Sequence, residues 1–177
     1  HDVAEVLVSR EQIQARLAEL GPQIARDYDG LNPVLVCVLK GALPFLADLM
    51  RHIDAPIEID FMAISSYGGR RTESTGVVRI LMDLATNVAG RHVLIVEDIV
   101  DTGRTLTYIM QNLQTRQPAS VKVCTLLDKP ARRQLVVPLA YVGFEIPDKF
   151  VIGYGLDFDE YYRNLSYVGV LKPEKYQ

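Results

Sequence analysis

The sequence predicts an α/β fold with a mainly parallel central sheet flanked by helices, and three observations carry that expectation. Segments with helical periodicity alternate with short apolar runs along most of the chain. Val34 to Leu39 and Val93 to Val96 are continuously apolar, as strands buried on both faces are. No internal repeat, low-complexity tract or interdomain linker interrupts the 177 residues, a length suited to one domain with one core.

The first element is an amphipathic helix over Arg10 to Tyr28, in which Ile13, Leu17, Leu20 and Ile24 recur at three- and four-residue spacing before Asp29-Gly30 ends it. The strand Val34 to Leu39 leads to a second helix using Leu43, Phe45, Leu46, Leu49 and Met50. Glu58 to Ile64 alternates polar and apolar residues, like a strand with one solvated face. Ser65 to Gly76 holds three glycines, small polar residues and charges, and reads as a mobile loop. Strand character resumes from Val77 to Met82. Val93 to Val96 is the clearest central strand, with a helix behind it over Thr105 to Leu113. Val121 to Leu127 and Tyr141 to Phe144 are further strands.

Composition narrows the function classes. Hydrophobic residues make up 49% and charged residues 23%, as in an ordinary globular protein. A net charge of −3 gives no general pull toward nucleic acid or an anionic membrane, so any polyanion must be bound at a local site. Cys37 and Cys124 each sit inside an apolar run, as small core residues do, and suggest neither a disulfide framework nor a zinc site. No apolar stretch is long enough to span a bilayer and the N-terminus lacks a signal-peptide pattern, so a cytoplasmic enzyme is the expectation. His1, His52 and His92 are scattered, against a histidine nucleophile or metal cluster. Gly153-Tyr-Gly155 lacks the third glycine of a dinucleotide fingerprint, and no Gly-x-x-x-x-Gly-Lys-Ser/Thr loop exists.

In a parallel α/β sheet, ligands bind beyond the carboxyl ends of the strands. There the chain reads Val96-Glu-Asp-Ile-Val-Asp-Thr-Gly-Arg-Thr105, three carboxylates followed by a small, hydroxyl-rich turn that opens a helix. The turn offers backbone N–H groups, threonine hydroxyls and the positive end of a helix dipole, all suited to a phosphate. Glu97 and Asp98 offer acceptors for a sugar diol or a magnesium shell. A helix capped by Asp101 or Thr102 is the plainer reading, and it accounts for one carboxylate but not three.

This segment, Val93 to Thr105, resembles the phosphoribosyl pyrophosphate signature of the phosphoribosyltransferases. Four other segments resemble the hypoxanthine-guanine branch: Val36-Cys-Val-Leu-Lys-Gly41 its pyrophosphate loop, Ser65-Ser-Tyr67 the start of its lid, Leu126-Leu-Asp-Lys129 its purine loop, and Val142 to Val151, running on to Asp157 and Arg163, its base-stacking and metal segment. Together they span about Val34 to Val170. Arg104 stands where some members have lysine, and Ala42 where some have a second glycine.

The resemblance implies a phosphoribosyltransferase-type fold: one domain over residues 1–177, with a core over about 34–150. It also implies a small hood from the N-terminal segment and residues 151–177, and a lid over 65–76 that includes Ser66 and Tyr67. It implies transfer of the 5-phosphoribosyl group from phosphoribosyl pyrophosphate to N9 of hypoxanthine or guanine, giving IMP or GMP, with Mg2+ as cofactor. Asp157 would lie near the metal and the purine, and Lys40, Gly41 and Arg163 would take the pyrophosphate. Glu97 and Asp98 would hold the ribose hydroxyls, directly or through the metal's waters. Asp101, Thr102, Gly103, Arg104 and Thr105 would wrap the 5-phosphate, with Asp101 also the general base at N7. Phe150 would stack on the purine beside Val151, and Lys129 would donate to the 6-oxo group. The resemblance further implies a peptide between Leu39 and Lys40 that is often cis, a homodimer or homotetramer, and no nucleic-acid or membrane partner.

Other readings differ in chemistry. Adenine-type transferases are disfavoured by the cation at Lys129, and orotate types by the purine-stacking segment. A regulatory relative that binds RNA or DNA is disfavoured by the retained Asp101 and the absence of a basic stripe.

Overall fold

A computed structural model describes residues 1–66 and 78–177. The expected lid therefore lies outside the described residues from Tyr67 onward. The elements, in chain order, are β1 (Val3–Val8), α1 (Arg10–Asp27), β2 (Val34–Leu39), α2 (Leu43–Met50), β3 (Glu58–Ser66) and β4 (Val78–Met82). They continue with β5 (His92–Val100), α3 (Arg104–Gln114), β6 (Ser120–Asp128), β7 (Tyr141–Glu145), β8 (Val151–Ile152) and β9 (Val168–Leu171). Short 3-10 turns occupy Pro130–Arg132 and Pro173–Lys175.

The start of α1 is fixed by a reciprocal cap. Ser9 Oγ accepts from the Gln12 N–H at 3.1 Å, and Gln12 Oε1 accepts from the Ser9 N–H at 2.8 Å. The helix then runs through Pro22. An interior proline costs about 3 kcal/mol, whereas Ile13, Leu17, Leu20 and Ile24 are all buried, at about 1.5–3 kcal/mol each. Burial wins. Gly21 adds a close contact, since a Cβ there would fall 2.3 Å from the His52 carbonyl oxygen.

Six strands form the central sheet in the order β4-β3-β2-β5-β6-β7. β2 pairs in parallel with β3 and β5, and β6 with β5 and β7; only β4 runs antiparallel. Alternate residues of the central strands face opposite sides, as strand geometry requires. Leu35, Cys37, Leu94 and Val96 pack with α1 and α2, while Val34, Val36, Val93 and Ile95 pack with Leu106, Ile109 and Leu113 of α3. Chain order reverses between β2 and β5, and that is the switch point where an open sheet leaves a crevice.

A second sheet, β1-β9-β8, is antiparallel and joins the two ends of the chain. None of its strands was expected as a strand from the sequence. Two other boundaries also differ. β3 runs through Ser65 and Ser66, expected as loop, because they pair with Arg79 and Val78. β5 continues to Val100, so Glu97 and Asp98 belong to the strand instead of following it; pairing of Glu97 with Thr125 and Ile99 with Leu127 extends it.

Glycine conformation gives the fold a sharp test. Gly155 has φ +98° and a Cβ there would meet the Gly41 carbonyl oxygen at 2.0 Å, whereas Gly30, at φ +73°, faces open space. Gly155→Ala should lower unfolding free energy in urea titrations by at least about 2 kcal/mol, and Gly30→Ala by about 1 kcal/mol.

Candidate active site

β2, β5 and β6 run parallel, so their carboxyl ends open on one edge of the sheet. A cavity of about 520 Å³ sits there, lined among others by Lys40, Gly41, Glu97, Asp98, Asp101, Thr102, Gly103, Thr105, Asp157 and Arg163. The fold thus gathers residues as far apart in the chain as Lys40 and Arg163 into one cleft. Arg104 opens α3 beside this wall, and Val151 is buried in β8.

The floor is the seam between β2 and β5. A Cβ on Gly41 would fall 1.9 Å from Asp98 Oδ2, so any larger residue there would drive the Asp98 carboxylate from its place. The peptide before it, Leu39–Lys40, is cis. Asp98 Oδ1 accepts from the Ile99 N–H at 2.7 Å, and Glu97 Oε1 accepts from the Asp98 N–H at 3.1 Å. Burial, then the neighbouring Asp98 charge, pushes the Glu97 carboxyl well above its ordinary range. Burial also raises Asp98, against hydrogen bonds and the nearby Arg163 charge that lower it. Asp98 keeps some surface on the cavity, yet desolvation is the largest influence on it.

The turn after β5 bends at Gly103, which adopts φ +85° and precedes α3. Thr102 Oγ1 accepts from the Arg104 N–H at 3.3 Å, and Gly103 O accepts from the Thr107 hydroxyl at 2.6 Å. A segment not singled out in the sequence holds this turn from outside. The Gln134 and Leu135 N–H groups donate to Thr102 O at 2.9 and 3.0 Å, and Arg133 Nε donates to Asp101 O at 3.1 Å. Arg133 also pairs with Asp128.

On the far wall, Tyr154 OH donates to Asp48 of α2 at 2.5 Å, anchoring the chain that leads to Asp157. Arg163 donates to Gly155 O at 2.7 Å and lies 3.4 Å from Asp157 Oδ1. Glu160, overlooked in the sequence because it sits within an acidic turn, lies 2.9 Å from Lys40 Nζ and 3.3 Å from Arg163. These two cations hold the Glu160 carboxyl below its ordinary range. Asp159, Glu160 and Tyr162 all adopt positive φ, which folds the turn tightly enough to aim these groups at one another.

Lys129 and Phe150 line a second cavity of about 430 Å³, with Arg132, Asp148, Lys149 and Tyr176 among its other walls. Lys129 is only 6% exposed, and its ammonium donates to Lys149 O at 2.9 Å. Burial lowers its pKa, opposed by the charges of Asp101 and Asp148. One face of Phe150 stacks on Tyr176, with ring centroids 4.7 Å apart, and Phe158 approaches edge-on at 5.7 Å. Ser65 lines the first cavity, while Ser66 is the last residue of β3.

The raised Glu97 carboxyl makes a stability prediction. A carboxyl whose folded pKa lies above its unfolded value binds more protons when folded, so stability falls as pH rises through that window. In chelator-treated protein, Glu97→Gln should therefore be more stable than wild type at pH 7. That advantage should shrink as pH falls through the raised folded pKa and be gone below about 4.3, measured by thermal melts across the range.

Residues 7–159 match the phosphoribosyl transferase domain family. The hypoxanthine-guanine phosphoribosyltransferase of Bacillus subtilis is 51% identical over 177 residues, covering 100% of this chain and 98% of that protein. A crystal structure of a hypoxanthine phosphoribosyltransferase from Staphylococcus aureus superimposes with a TM-score of 0.95 at 50% identity, covering 99% of this chain and 95% of the other. The enzyme from Trypanosoma cruzi, solved in complex with the product IMP, superimposes at 0.92 with 44% identity, covering 99% and 98%. A switch-point cleft with a phosphate-type turn, adjacent diol-type carboxylates and a buried lysine beside an aromatic ring thus occurs in a chain that belongs to the phosphoribosyltransferase family, in its hypoxanthine-guanine branch.

Proposed function

We propose that this protein transfers the 5-phosphoribosyl group of phosphoribosyl pyrophosphate to N9 of hypoxanthine or guanine, releasing pyrophosphate and forming IMP or GMP. The observation that carries the reading is the placement of Asp101, which lines the phosphate cleft while its charge acts on Lys129 in the neighbouring cavity. A purine spanning the two would meet a base and a cation on one edge.

Residues take their roles from the chemistry. The turn Asp101–Thr105 presents N–H groups and hydroxyls to the 5-phosphate at the start of α3. Glu97 and Asp98 accept from the ribose hydroxyls. As the bond to pyrophosphate breaks, positive charge grows on the ribose ring beside these carboxylates, and the leaving group gathers negative charge near Lys40 and Arg163. The pyrophosphate competes with Glu160 and Asp157 for those cations. N9 attacks the anomeric carbon and Asp101 accepts the N7 proton. Phe150 stacks on the base next to Val151 and Asp157, and Lys129 turns from Lys149 O to the 6-oxo group.

The donor set fits a divalent cation, Mg2+ in this reading. Among the described residues no group of three or more His, Cys, Asp or Glu side chains could hold a metal. Asp157, Glu97 and Asp98 would then contribute one or two oxygens, the substrate's oxygens and water supplying the rest. Its chemistry would be to neutralise the leaving pyrophosphate.

We also read residues 1–177 as one functional unit, the small sheet serving as hood and 65–76 as lid. The buried free thiols Cys37 and Cys124 suit a reducing cytoplasm. The family resemblance favours a homodimer or homotetramer, which light scattering would read.

Two substitutions test the reading. Asp101→Asn should keep affinity for phosphoribosyl pyrophosphate but lose roughly 10²–10⁴-fold in turnover, because an amide cannot accept the N7 proton. Near-wild-type turnover would remove Asp101 as the base. Adenine carries a donor at position 6, and a site built to hydrogen-bond one group rejects an analogue lacking it by about 10⁴–10⁵-fold. Lys129→Gln should lower turnover on hypoxanthine and guanine while narrowing the gap to adenine, since an amide donates or accepts. Steady-state assays of the purine bases would measure both.

A further inference from the structure

The two oxygens of Asp101 do not share one environment. Oδ1 is sealed from solvent and receives no hydrogen bond, yet the side chain as a whole keeps 40% of its surface exposed. The exposed part therefore belongs to the rest of the side chain, so of the two oxygens only Oδ2 can face the cleft that Asp101 lines. Arg132 explains the difference. Its Nε lies 3.3 Å from Oδ1, a charge contact in place of a hydrogen bond, while its NH1 lies 3.9 Å from Asp148.

The support behind Arg132 is local and firm. Arg132 ends the 3-10 turn that begins at Pro130, and its N–H donates to Lys129 O at 3.3 Å. The next residue, Arg133, donates to the Asp101 carbonyl oxygen, so consecutive arginines grip the backbone and the side chain of the same aspartate. Lys129, on the other end of this turn, is the buried cation of the second cavity, which Arg132 also lines. A half-exposed ion pair contributes little to folding stability. Its geometric effect on a reacting carboxylate can be larger, because catalysis depends on the orientation of the accepting oxygen.

We propose that Arg132 is a positioning residue for the transfer reaction. It holds Asp101 through Oδ1 so that Oδ2 is presented to the purine. The N7–H bond then breaks with its electron pair staying in the purine, and the proton ends on Oδ2. This inference rests on the reading of Asp101 as the base, and its test separates the two.

The test is a double-mutant cycle read in kcat and KM, using Arg132→Gln, Asp101→Asn and the double variant. Arg132→Gln should lower kcat about 10-fold with KM for phosphoribosyl pyrophosphate within about two-fold, and it should cost nothing further in the Asp101→Asn background. Arg132→Lys, which keeps the charge but not the planar fork, should fall between wild type and Arg132→Gln. A kcat loss carried undiminished into the Asp101→Asn background would mean that Arg132 acts independently of Asp101, and would overturn the proposal. Wild-type kcat in Arg132→Gln would overturn it too, with the base reading intact. Wild-type kcat in Asp101→Asn would instead overturn the base reading and this inference with it.

Discussion

Where β2 and β5 end side by side, the backbone of Gly41 lies directly against the carboxylate of Asp98, at a separation that leaves no room for a Cβ. Gly155 in turn packs on the Gly41 carbonyl oxygen. Two glycines in series therefore set how close the central sheet, the chain after β2 and the wall carrying Asp157 come together. A Cβ at Gly155 would meet the Gly41 backbone and force the two walls apart, and one at Gly41 would drive the Asp98 carboxylate from its place. Cation and carboxylate positions on its walls would follow. Geometry within about 1 Å governs whether a site of this kind works, so this contact is the one from which the rest is positioned.

Such closeness brings an electrostatic load. Glu97 and Asp98 sit side by side at the end of a buried strand, and desolvation raises both carboxyls. Nothing in the sheet offers them full compensation; Arg163 reaches Asp98 only through its charge. A substrate with hydroxyl donors and a divalent cation would relieve what the fold leaves unrelieved. The opposite wall is balanced within the protein, where Glu160 and Asp157 neutralise Lys40 and Arg163. In the proposed reaction the pyrophosphate would displace these pairs, and because Lys40 and Glu160 are largely exposed their attraction is weak enough to give way.

The turn that carries Asp101 has the opposite design. It is braced by the segment after β6, through Arg133, Gln134 and Leu135 to the carbonyls of Asp101 and Thr102, and through Arg132 to the carboxylate. An exposed Lys40 on one wall and a braced Asp101 carboxylate on the other suit the proposed reaction, in which the leaving group departs and the attacking atom must already be aligned.

The sequence by itself determined what local pattern and local chemistry can carry. Continuous apolar runs marked β2 and the centre of β5, three- and four-residue spacing marked α1, and the run from Glu97 to Thr105 marked the phosphate turn, because each signal lies within a dozen neighbouring residues. Resemblance extended that reading to Lys40, Lys129, Phe150, Asp157 and Arg163, whose isolated residue types say little. Only tertiary structure decided the rest. β1 is short and largely exposed, and it becomes a strand by pairing with β9, from Val3 with Leu171 to Val8 with Val168 at the far end of the chain. Ser65 and Ser66 join β3 because β4 returns beside them, and Glu97 is in a strand because Thr125 lies next to it. Glu160 and Arg132 read as ordinary surface charges until folding sets them against Lys40 and Asp101. The physical reason is common to all of these: a strand's hydrogen bonds and a charge's partner are supplied by residues distant in the chain, and no local pattern encodes which distant residue arrives.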